Sequence, residues 1–92
     1  MKWKFDYSGK AFKVYKKLTG EWKNRIEEAF KNILTYYSQK NCDKPYPDLK
    51  ALHGRYQGLL RLVVGKYRII FKISRQICVI YIIEIDKRGD IY

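Results

Sequence analysis

The chain has 92 residues, 47% of them apolar, so it forms one domain (residues 1–92): half this length would leave neither part a usable core, and the apolar share separates it from disordered tails. Twenty Lys and Arg against nine Asp and Glu give a formal charge of +11, which opposes compactness by self-repulsion and points to a polyanionic partner: nucleic acid, an acidic membrane surface or an acidic protein. Two Cys and one His fall short of a zinc signature, no apolar leader is visible, and the longest apolar run, Ile77 to Ile83, is too short to cross a bilayer; the expectation is a cytoplasmic, cofactor-free protein with no disulfide framework.

Residues 2–7 alternate, with Trp3, Phe5 and Tyr7 on one side and Lys2, Lys4 and Asp6 on the other. Period two predicts a strand with one buried face. Ser8 is placed to cap a short helix over Lys10–Leu18, carried by Ala11, Val14, Tyr15 and Leu18. Thr19-Gly20 interrupts it. A second, longer helix starts at Glu21 and ends near Gln39, because Trp22, Ile26, Phe30, Ile33 and Tyr37 recur every three or four residues. Asn41 to Asp48, with Pro45 and Pro47, reads as a loop. Leu59–Val64, Tyr67–Ile73 and Ile77–Ile85 are short, β-branched and aromatic, and predict three strands. Gly65-Lys66 joins the first two as a two-residue turn with glycine first, and Ser74-Arg75-Gln76 turns the next hairpin. The order is strand, helix, helix, then a three-stranded antiparallel meander: an α+β fold with the helices packed on one face of the sheet.

A Gly65-Lys66 turn pairs Val64 with Tyr67, Val63 with Arg68 and Arg61 with Ile70. Alternation then places Arg61, Val63, Arg68, Ile70 and Lys72 on one face. Leu60, Leu62, Tyr67, Ile69, Phe71 and Ile73 form the face against the helices. Arg61 and Arg68 become diagonal neighbours, within reach of one ligand, and an anion between them would relieve their repulsion. The ordinary alternative is a solvated face whose positive charges discourage edge-to-edge aggregation. A one-residue slip in register would reverse every one of these assignments.

Leu49-Lys50-Ala51-Leu52-His53-Gly54, Leu60-Arg61-Leu62 and Gly65-Lys66-Tyr67-Arg68-Ile69-Ile70-Phe71, in that order, resemble the middle of the RelE/ParE toxins. The close, from Ile85 to Tyr92, is similar to that family's terminal pattern of a basic residue four positions before a tyrosine, here Arg88 and Tyr92. The resemblance implies a RelE-like fold and a toxin restrained by a cognate antitoxin. It further implies a ribosome-dependent endoribonuclease that cuts mRNA without metal, by attack of a 2′-hydroxyl on the adjacent phosphate. On those matches Arg68 and Arg88 are expected to contact the phosphate and the transition state, and Arg61 to be a third such contact. Tyr92 is expected to stack on a base. Lys66, Lys72 and Lys87 are expected to bind RNA. Arginine suits this work because it is always charged and offers phosphate a planar fork of donors.

Active RNA-cleaving members often carry a second basic residue two positions after the Arg61 match, where this chain has Val63. The general base therefore stays unassigned. His53 has a suitable intrinsic pKa, although a lone loop histidine is ordinarily a surface residue. The resemblance leaves two other functions open: a ParE-like poison of DNA gyrase without RNase activity, and a degenerate member that only binds its antitoxin or RNA. The antitoxin is expected to be an acidic or amphipathic segment that folds as it wraps the basic domain.

Overall fold

In the computed structural model, residues 3–39 and 49–87 are described. Strand β1 (Lys4–Tyr7) leads into helix α1 (Gly9–Lys17) and helix α2 (Gly20–Tyr37). A two-residue strand β2 (Lys50–Ala51) and a 3-10 turn (Gly54–Tyr56) follow, then β3 (Leu60–Val64), β4 (Tyr67–Ser74) and β5 (Val79–Lys87). The five strands form one mixed sheet in the order β1-β5-β4-β3-β2. The α+β class and the element order are those expected, and the β3–β4 register is Val64↔Tyr67, Val63↔Arg68 and Arg61↔Ile70. Two features go beyond the expected meander. β1 crosses to pair in parallel with β5, with Phe5 opposite Ile80. β2 pairs through Lys50↔Arg61 and Ala51↔Leu60, a ladder too short to leave a periodic signal. The predicted loop over 41–48 and Cys42 lie outside the described residues.

The core joins Ile26, Phe30, Ile33 and Tyr37 of α2 to Leu62, Tyr67, Ile69, Phe71, Ile80, Ile82 and Ile85 of the sheet. The α2 residues recur at helical spacing, which is why this segment buries one stripe and leaves Lys23, Asn24 and Lys31 to solvent. Phe5 of β1 meets Phe30 at 5.3 Å between ring centroids, and Tyr7 stacks on Tyr15 at 5.1 Å. The Tyr15 hydroxyl donates to Glu27 at 3.0 Å. Burial, then the neighbouring Tyr15 and the Glu27 carboxylate, push the Tyr7 phenol up from 10.0 to about 12. The folded chain thus keeps the Tyr7 proton to higher pH than the unfolded chain does. Its contribution is full below pH 10.0 and fades as pH rises toward about 12.

Ser8 makes two hydrogen bonds with one oxygen. Its Oγ accepts from the Ala11 amide at 3.0 Å, capping α1, and donates to the Ile83 carbonyl at 2.6 Å. Its own amide donates to the Ile82 carbonyl at 2.9 Å. These bonds hold α1 against β5 at an irregularity: the β4–β5 register runs Ile70↔Glu84 and then Phe71↔Ile82, leaving Ile83 as a bulge. Ile80 and Ile82 face the core, and strict alternation would send Glu84 after them. The extra residue reverses the parity, so Ile85 enters the core at 1% exposure and Glu84 turns to the opposite face.

At the other end of the sheet, Gly65 takes φ +58° in the β3–β4 turn, and a Cβ there would overlap the Trp22 ring carbons Cζ3 and Cη2. Trp22 meets Tyr67 edge-on at 5.4 Å, so the ring has no room to retreat into the core.

Ser8→Ala is expected to destabilise the fold by about 2 kcal/mol, a lost cap plus a lost hydrogen bond, measured by denaturant unfolding. Gly65→Ala is expected to cost about 2–4 kcal/mol from φ strain and overlap together. In a Trp22→Ala background the same change should cost only the strain part, about 1 kcal/mol, so a double-mutant cycle isolates the contact. Tyr7→Phe should flatten the fall in stability between pH 10 and about 12.

Candidate active site

The face of the sheet turned away from α2 carries the charged side chains of three adjacent strands. Arg61, Ile70 and Glu84 form one cross-strand row over β3, β4 and β5; Val63, Arg68 and Asp86 form the next. Arg61 and Arg68 are diagonal neighbours, about 7–8 Å apart by ordinary sheet geometry, with their Cβ atoms somewhat closer. Ile70 is only 5% exposed although it lies on this face, so it forms an apolar floor beneath the surrounding charged side chains. The Nε atoms of both Arg61 and Arg68 are sealed from solvent, and the Arg61 Nε has no hydrogen-bond partner among the described residues. The two guanidinium groups are therefore partly embedded in the face. A buried donor left unsatisfied costs about 1–3 kcal/mol, which a bound anion would recover.

Acidic groups line the β5 side. Arg68 Nη2 lies 3.7 Å from Asp86 Oδ2, both side chains being largely covered. Lys10, from the first turn of α1, reaches Glu84 Oε1 at 3.2 Å. A hydrogen bond with the Asp86 carboxyl, and then burial, raise Glu84 above the usual carboxylate range; Lys10 opposes them without reversing the shift. Glu84 in turn holds the Lys10 ammonium above its ordinary value, and Tyr56 of the 3-10 turn acts on Lys10 in the same direction. Chemically, the face offers two fixed cations, a carboxylate with enhanced proton affinity and an apolar floor. That combination can hold a phosphodiester and accept a proton beside it.

Of the residues singled out by sequence, the fold brings together Arg61, Arg68 and, further along the same face of β4, the exposed Lys72. Lys66 is turned to the helix side, with its ammonium 5.0 Å from the Trp22 ring centre, where Arg25 also stacks at 4.7 Å. Lys87 pairs with Tyr67 and shares the core-facing parity, exposed at the strand end. His53 is exposed on the turn between β2 and β3. Arg88 and Tyr92 lie outside the described residues. Sequence reading missed Glu84, Asp86 and Lys10. The available signal was Ile82-Ile83-Glu84-Ile85, where a charge interrupts an alternating apolar strand and only a bulge keeps it out of the core.

A concavity of about 480 Å³ lies elsewhere, between α2 and the outer edge of β3, lined in part by Glu21, Arg25, Glu28, Leu62 and Val64. Its mixed charge is less suited to a polyanion than the arginine face is. Among the described residues no three His, Cys, Asp or Glu stand together to hold a metal ion, and no helix is long and apolar enough to cross a membrane.

No protein-family model and no curated protein matches the sequence. Solved structures do match. The archaeal RelE–RelB complex from Pyrococcus horikoshii is similar at 26% identity and a TM-score of 0.67, over 97% of this chain and 98% of that one. The RelB–RelE antitoxin–toxin complex from Methanococcus jannaschii matches at 22% identity and a TM-score of 0.66, over 95% and 94%. The YoeB–YefM complex from Staphylococcus aureus matches at 16% identity and a TM-score of 0.69, over 94% and 97%. The structural neighbours across nearly the full length are RelE, YoeB, ParE and YafQ toxins of toxin–antitoxin complexes, and the fold is RelE-like.

Proposed function

We propose that this chain, with the fold of the RelE-like toxins, is the toxin of a toxin–antitoxin pair and acts as an endoribonuclease on mRNA in the ribosome. The observation that carries this reading is the pairing of Arg61 and Arg68 on one face, with their Nε atoms buried, in a fold shared with RelE. A surface charge that served only solubility would extend into water; these guanidinium groups are instead held down at a fixed separation.

The reaction is metal-independent transesterification. The 2′-hydroxyl loses its proton, its oxygen attacks the adjacent phosphorus, and the P–O5′ bond breaks. Charge accumulates on the phosphoryl oxygens in the transition state, where Arg61 and Arg68 offer donors already in place. Lys72, further along β4, extends the positive track for the RNA backbone. Arg88 is a further phosphate contact, and Tyr92 stacks on a base to orient the nucleotide. Lys66 and Lys87, on the helix side, are the weaker candidates for RNA contact. The +11 charge speeds encounter with the ribosome and its RNA, and the site of action is the cytoplasm. Several solved neighbours are complexes with their antitoxins, which supports a cognate antitoxin here. An acidic or amphipathic segment that covers the arginine face would silence it.

In a translating extract with a reporter mRNA, Arg68→Ala and Arg61→Ala are expected to lower single-turnover cleavage about 100- to 1,000-fold while leaving the melting transition intact. Intact mRNA together with gyrase-dependent DNA breaks would instead indicate a ParE-like poison. Antitoxin binding with neither activity would indicate a degenerate member.

A further inference from the structure

The site as described has cations for the phosphate and still needs a group to take the 2′-hydroxyl proton. We propose that Glu84 is the general base of the cleavage reaction, positioned by Lys10 and supplied to the arginine face by the β5 bulge; this rests on the ribonuclease reading above.

The geometry is specific. Arg61 and Glu84 occupy the same cross-strand row, separated by Ile70. Two strand spacings set their Cα atoms about 9–10 Å apart. A phosphodiester resting over the Ile70 floor then has Arg61 on its β3 flank, Arg68 diagonal to it, and the Glu84 carboxylate on its β5 flank. Long arginines and a glutamate reach inward over that span, and a phosphate with its adjacent ribose fills it. On the β3 flank the next residue on this face, Val63, is 40% exposed and brings no titratable group. Asp86, the other carboxylate, lies 3.7 Å from Arg68 and shares a hydrogen bond with Glu84, so it acts on the base from beside it. Glu84 has a side chain only 22% exposed and is held by the Asp86 carboxyl and by Lys10, whose own side chain is 70% exposed and free to shift when substrate arrives.

The charged and titratable groups around Glu84 are Lys10 from α1, Asp86 on β5, Arg68 on β4, Arg61 on β3 and Tyr56 near Lys10 from the 3-10 turn. The Asp86 hydrogen bond, and then burial, raise its proton affinity, which brings a carboxylate closer to the neutral range where a general base works best. In the reaction, the 2′-hydroxyl gives its proton to the Glu84 carboxylate as the 2′-oxygen bonds to phosphorus. The 5′-oxygen leaves and takes a proton from water, giving a 2′,3′-cyclic phosphate and a 5′-hydroxyl end. Glu84 then releases its proton to solvent. No oxidation, reduction or further reactant is required.

The test is single-turnover cleavage of programmed ribosomes by the full chain across pH 5–8. The wild-type rate should rise with pH and level off, with its inflexion above the ordinary glutamate range of about 4.3. Glu84→Gln keeps shape and hydrogen bonding but cannot accept the proton. It should slow cleavage at least about 100-fold and abolish the inflexion, with half-saturating ribosome concentration changed less than about twofold. Lys10→Met, at an exposed position, should move the inflexion to higher pH by removing a cation that favours the carboxylate, which a purely structural Glu84 would not do. A Glu84→Gln rate within about threefold of wild type, or a wild-type profile flat over this range, overturns the assignment of Glu84. If wild type cuts no RNA at all, the ribonuclease reading fails first and takes this one with it.

Discussion

The arrangement of the charged face depends on a single extra residue in β5. Ile80, Ile82 and Ile85 all enter the core, and no unbroken strand can place residues 82 and 85 on the same side. The bulge at Ile83 solves this, and it would cost an unpaired carbonyl if Ser8 did not donate to it at 2.6 Å. Because the same hydroxyl caps α1, the bulge, the helix start and the position of Lys10 are one mechanical unit. Glu84 and Asp86 reach the arginine face through it.

That face holds like charges close together. The structure manages this by dilution and by partial pairing. Arg68 leans on Asp86, Glu84 on Asp86 and Lys10, and Arg61 sits diagonal to Arg68 with the uncharged Ile70 and Val63 on the other diagonal. The pairs are neither fully buried nor ideally close, so they offset repulsion more than they add stability. Under the proposed function a substrate phosphate, which makes shorter, two-pronged contacts with guanidinium, displaces them. The helix side works differently: Trp22 pins the Gly65 turn, and Lys66 and Arg25 stack on its ring as a local clasp at the hairpin end.

Much of this was readable from residue order. The β3–β4 register follows from one glycine-first turn, and α2 from a stripe of five apolar residues at helical spacing; both are local signals that tertiary packing reinforces. The solvent face carrying Arg61 and Arg68 follows from that register alone. The parallel β1–β5 pairing and the two-residue β2 are set by long-range contacts and leave no periodic trace. Glu84 escaped notice because alternation counted from Ile80 sends it to the wrong side; a charge at a nominal core position marks a bulge, and here the bulge is what brings the acid to the site. Lys66, which its motif implies as an RNA contact, lies on the helix side with its ammonium 5.0 Å from the Trp22 ring centre, a placement set by α2 and not by the local motif.

The central claim is that this face directs a ribose 2′-hydroxyl onto its neighbouring phosphate, and the most direct measurement is cleavage of a ribosome-bound mRNA carrying one 2′-deoxy nucleotide immediately before the mapped cut. The cut should disappear at that position, and unmodified mRNA should yield a 2′,3′-cyclic phosphate and a 5′-hydroxyl. Continued cleavage at the deoxy nucleotide, with 5′-phosphate ends, would mean that water is the nucleophile and would contradict it.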